Sequence, residues 1–338
     1  MLVLSVRWRI CLSLSFALIS PACVEVPMQP ISHAVPGERA TLKIVTVLPQ
    51  ETDPAIDASE PHLVAYDPMA STRKQLFLFL GGQGYAPADN LNLITSQAAA
   101  NGFHAIALSY PRTVNVTRRC QSDPDEDCFG KVRLEIIDGI DRAPQVAITR
   151  ANSIENRLIK LLTYLASRFP DEGWSTYLSG GMPNWSRIRL GGHSEGGGHA
   201  AMMASQHEVV RFCFLESPVD VIGAPGGPRR LPPWLAAAGK TPVERYFGFR
   251  HLRSDSPTAQ LRPKMWTTLG VDRLGPPVNT DESKPPYGNT HHLTTSAEPV
   301  PDGRPMLLHR SVVVDGATPK TSTGRTLFAP VWQYACFG

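Results

Sequence analysis

Short apolar runs alternate along the chain with amphipathic stretches, and the period of each stretch separates strand from helix. Residues 75–80 are almost wholly apolar over a length too short for a helix, which predicts a strand buried on both faces. Residues 103–110 repeat that pattern and stop at Pro111; residues 41–48, 63–66, 209–215 and 245–250 read as further strands. Residues 293–296 read as the final strand, although the run Val312-Val313-Val314 is also strand-like. Helical spacing appears at residues 90–100, closed by Gly102. It appears again where Ile154, Leu158, Leu161, Leu162 and Leu165 share one stripe, with Asn152 or Ser153 as the cap and an end before Pro170. Strands alternating with helices predict an α/β fold, a mostly parallel central sheet with helices on both faces. There is no internal repeat.

One stretch carries a chemical signature. Residues 187–190 alternate as a short strand does, and residues 199–204 are good helix formers. Between them stands Gly192-His193-Ser194-Glu195-Gly196, a match to G-x-S-x-G. At such a strand-to-helix turn the serine is strained and its Oγ exposed, and glycine on either side removes collisions. The first N–H groups of the helix then point where a carbonyl oxygen would become an oxyanion. A second glycine loop, Gly81-Gly82-Gln83-Gly84, follows the strand ending at Leu80. It lacks both the G-x-G-x-x-G spacing and the lysine of a P-loop, which argues against a nucleotide.

Composition narrows the class of partner. The chain has 338 residues and a net charge of +3, too little to argue for nucleic acid or an anionic membrane surface. Its 31 prolines gather near the N-terminus, around 218–242 and around 276–305, which predicts long surface loops. Residues 1–22 read as an export signal: Arg7 and Arg9, an apolar run too short to span a bilayer, then Ser20-Pro21-Ala22. Cys23 follows directly, so lipoprotein anchoring is a weaker variant of the same reading. A lead segment, 23–59, and a main domain, 60–338, would follow, with residues 221–242 either a small cap or a surface loop.

In an oxidising compartment Cys120 and Cys128 should close the acidic loop between them as a disulfide. The neighbouring sequence holds no further Cys or His to complete a metal set. No metal or cofactor is expected. Cys213, in an apolar strand, reads as a buried thiol, with pairing to Cys336 left open. Asn115-Val116-Thr117 marks a surface loop.

The elbow at Ser194, the glycine loop after residues 75–80 and the strand and helix order together make residues 60–338 resemble the α/β-hydrolase superfamily, in particular its secreted bacterial esterases and lipases. The resemblance implies an oxyanion hole from the backbone N–H groups of Gln83 and Glu195. Gly81 stands where that superfamily often carries histidine, so the match is to the backbone and not to a side chain. Triad order in the superfamily is serine, acid, histidine. Asp255, after the strand at residues 245–250, is the expected acid, with Asp220 as the alternative and Glu216 behind it. His309, beyond the strand at residues 293–296, is the expected base, with His292, His251 and His199 behind it. The implied function is cleavage of a carboxylic ester, from a small molecule or a lipid, through an acyl-enzyme. Acyl transfer by the same serine and an inactive, exported binding module on the same fold are the alternatives.

Overall fold

The apolar runs become the strands of one nine-stranded sheet. They are β1 (Lys43–Val47), β2 (His62–Tyr66), β3 (Leu76–Leu80), β4 (His104–Leu108), β5 (Ile188–His193), β6 (Arg211–Leu215), β7 (Tyr246–His251), β8 (Val278–Asn279) and β9 (His292–Thr295). The computed structural model describes residues 41–57, 59–70 and 73–338. The expected signal at 1–22, with Cys23 and most of the lead segment, lies outside the described residues. Across the sheet the order is β1-β2-β4-β3-β5-β6-β7-β9-β8. β2 runs antiparallel to both neighbours, and all other pairs are parallel.

The helices that position the site are α1 (Asn92–Ala100), α2 (Val116–Cys120), α3 (Cys128–Asp138), α4 (Ile154–Arg168), α5 (Ser194–Gln206), α6 (Arg262–Thr268) and α7 (Leu307–Ser311). β3 shows why its sequence has no polar alternation: Leu76, Leu78 and Leu80 enter one core with α3, α4 and α5, while Phe77 and Phe79 enter another with α1. A strand with a core on each side has no face left for water. α4 starts where its cap predicts, the Ser153 hydroxyl accepting from the Asn156 N–H at 3.2 Å, and buries its leucine stripe.

Several expectations change. β1 falls inside the expected lead segment, yet it pairs with β2 from Lys43↔Tyr66 to Val47↔His62 and forms one edge of the sheet. Val312, Val313 and Val314 form no strand. They are apolar because they are buried in the turns after α7, where the Trp332 indole donates to the Val312 carbonyl at 3.0 Å. β9 is therefore the last strand among the described residues. Residues 221–242 form a loop with an Ile222↔Arg230 bridge and one turn at Pro233–Ala236. Cys120 and Cys128 are joined, and Cys213 is paired with Cys336 rather than free. Among the described residues no helix is long and apolar enough to cross a membrane.

Candidate active site

β5 ends at His193 in extended conformation, and Ser194 opens α5 with φ +52°. A serine there sits in the left-handed region, as the elbow requires. Neighbouring backbone leaves no space for side chains beside it: a Cβ on Gly196 would fall onto the carbonyl oxygens of Leu80 and Gly81. One on Gly192 would come within 2.6 Å of the Gly197 Cα. Ser194 itself is only half-buried.

The glycine loop after β3 lies against this turn. A Cβ built on Gly82 would stand 3.2 Å from the Ser194 Cβ and 2.9 Å from the His193 Nδ1. The loop is pinned from both sides, the buried Tyr110 hydroxyl donating to the Gly81 carbonyl at 2.6 Å and Asn115 Nδ2 donating to Gln83 Oε1 at 2.7 Å. Glu195 is the second residue of α5, so its N–H is one of the unpaired donors at the helix start. Its carboxylate points inward, 3.0 Å from the buried Arg133 Nη2. Burial pushes that carboxyl up to about 7, with Arg133 pulling the other way.

His309 lies on α7 beyond β9, and its imidazole is buried over His193, with ring centroids 4.8 Å apart. His193 Nε2 donates to the His309 carbonyl at 3.1 Å, tying the residue before the serine to the histidine helix. His309 Nδ1 meets Glu216 Oε2 at 3.1 Å. Glu216 is the first residue after β6, adopts φ +49°, and also accepts from the His251 N–H at 2.6 Å and the Ser254 hydroxyl at 2.9 Å. Burial alone would raise its pKa, but Arg262, His309 and the His251 N–H together bring it down to about 2. A carboxylate oxygen only accepts, so this contact needs the proton on Nδ1 and turns Nε2 away from Glu216.

The carboxylate on the imidazole is thus Glu216, and the expectation for Asp255 is corrected. Asp255 accepts the backbone N–H of His309 at 2.9 Å and of Leu308 at 3.4 Å, capping the start of α7. Asp220 faces away, bound by Arg133 Nε at 2.7 Å and by the Trp234 indole at 3.0 Å. The three alternative histidines make other contacts. His251 uses both ring nitrogens, on the Arg253 N–H and the Ala297 carbonyl. His292 opens β9, at the end opposite to the one that leads to His309, and packs on Trp266. His199 lies inside α5 against Arg133 and Tyr110. Among the described residues no group of three His, Cys, Asp or Glu side chains could hold a metal ion.

No family model and no curated protein matches the chain. Among solved structures, it is similar to a candidate dienelactone hydrolase from Klebsiella pneumoniae, at 13% identity over 76% of this chain and 86% of that one, with a TM-score of 0.37. The strand order, the antiparallel β2 and the sharp turn from β5 into α5 stand on the chain itself, and they make an α/β fold with a mostly parallel sheet.

Proposed function

We propose that the protein is an exported serine hydrolase that cleaves carboxylic esters, with Ser194 as nucleophile, His309 as base and Glu216 as the acid. The observation that carries this reading is the buried His309–Glu216 hydrogen bond, set over the residue preceding a serine at positive φ. Nε2 of His309 takes the Ser194 proton as Oγ attacks the ester carbonyl, and Glu216 stabilises the imidazolium that forms. The N–H groups of Gln83 and Glu195 receive the oxyanion; a donor of this kind contributes about 3 to 4 kcal/mol to catalysis. His309 then gives the proton to the leaving alcohol, and water repeats the attack on the acyl-enzyme. The two disulfides support an oxidising compartment.

Labelling with a fluorophosphonate tests the reading. A covalent adduct on Ser194 and turnover of short p-nitrophenyl esters are expected. Folded protein that takes no adduct would instead be a binding module.

A further inference from the structure

Arg133, Arg157, Arg262 and Arg310 are the arginines buried to below 2% exposure. Three of them are hydrogen-bonded: Arg133 to Asp220, Arg157 to Asn152, and Arg310 to Asp302 and the Pro305 carbonyl. Arg262 is different. It is 1% exposed, yet its Nε, Nη1 and Nη2 have no hydrogen-bond partner among the described residues. Its nearest carboxylate is Glu216, with Nη2 3.5 Å from Oε2, an ion pair without hydrogen-bond geometry. Leaving guanidinium donors unmet in a core is unfavourable, and an apolar side chain of similar length would avoid it. What Arg262 brings to this place is its charge, which arginine retains even where burial draws its pKa down.

Glu216 has no shortage of donors, since His251 meets one of its oxygens and Ser254 and His309 meet the other. We infer that Arg262 is a positioning residue whose unshared positive charge, acting through Glu216, holds down the readiness of the His309–Glu216 pair to take a proton from solvent. The inference rests on the triad reading above. A proton added to the pair takes it from a net charge of −1 to neutral, which a fixed cation alongside opposes whichever of the two side chains carries the proton.

The other charged and titratable groups around the pair do not supply this cation. His193 is held neutral by burial, which takes it to about 3, and burial also lowers His251. Arg310 is committed to Asp302, and Asp220 to Arg133. Asp255 caps α7 through backbone N–H groups. Arg250, on β7, also feels Glu216, but it is half-buried, more open to screening by water, and points to His292 at 3.5 Å.

The test is the pH profile of kcat/KM for an uncharged p-nitrophenyl ester, measured on the wild type, Arg262→Met and Arg262→Lys. Arg262→Met should move the acid limb upward by about one pH unit, with plateau kcat within a few-fold of wild type. Arg262→Lys restores a cation and should bring the limb back to within a few tenths of wild type. A folded Arg262→Met with an unmoved limb overturns the inference, as does a lysine variant that shifts as far as methionine. Should Arg262→Met fail to fold, Arg262→Gln serves as the neutral arm; if neither folds, the role is structural and the inference fails. Phosphonate labelling separates the two layers: an unlabelled wild type sinks the triad reading, whereas labelled variants with an unmoved limb sink only the role of Arg262.

Discussion

At the scale of single residues, two acids stand close to one histidine and do different things. Glu216 touches the ring and Asp255 touches the backbone beneath it. Glu216→Gln leaves the imidazole free to adopt the wrong tautomer, and kcat for a p-nitrophenyl ester should fall by a factor on the order of 10⁴. Asp255→Asn should retain most of kcat and lower stability by about 0.5 kcal/mol, since the amide keeps an acceptor oxygen but loses the negative charge at the helix start. The reverse ranking would return the acid to Asp255. Glu216 also links stability to pH. Its folded-state pKa is depressed, so its contribution is complete above the ordinary carboxylate range, near pH 4 to 5, and is lost as pH falls toward about 2. The gap in Tm between wild type and Glu216→Gln should therefore close between about pH 5 and pH 2.

At the scale of elements, what was legible in the sequence follows from what the local pattern can encode. β3, β4 and α4 were readable because each has one environment along its whole length, two cores for the strands and one stripe for the helix. The elbow was readable because its constraint is local: α5 crosses so close to β3 that position 196 has no space for a side chain. Gly196→Ala should thus force the helix off the strand, costing about 1 to 3 kcal/mol and most of the activity, as chemical denaturation and ester turnover would show. α3 is harder to read because two of its polar residues are buried, Arg133 on Asp220 and Glu135 on the N–H groups of Arg142, Ala143 and Ile148. The carboxylate that meets the His309 ring was misplaced for a similar reason. Chain order says that a carboxylate follows a late strand, but only the fold shows that the end of β6, next to the elbow strand β5, is the one facing His309. Val312 to Val314 mimic a strand because burial, not strand pairing, sets their composition.

At the scale of the whole molecule, the C-terminal segment closes the sheet face that carries Phe77 and Phe79. Phe337 packs edge-on to Phe77 at 5.0 Å, Arg189 and Arg211 donate to carbonyls at 334, 335, 336 and 338, and Cys336 is bonded to Cys213 on β6. This strap and the Cys120–Cys128 bridge constrain the unfolded chain very differently. One closes a loop across a sequence separation of 123 residues, the other across 8. On the chain-entropy account the long loop contributes about 5 kcal/mol and the short one about 2.5 kcal/mol. Replacing Cys213 and Cys336 together by alanine should accordingly lower the denaturant midpoint roughly twice as far as replacing Cys120 and Cys128. The measurement is equilibrium unfolding of the oxidised proteins, with non-reducing peptide mapping to verify the remaining bridge in each. The short bridge has a second consequence, because α2 carries Asn115 as its N-cap and Asn115 holds Gln83. Losing Cys120–Cys128 should therefore lower ester turnover more than losing Cys213–Cys336, although it costs less stability. Equal loss of activity in both variants would mean that the bridge at α2 has no hold on the glycine loop at residues 81–84.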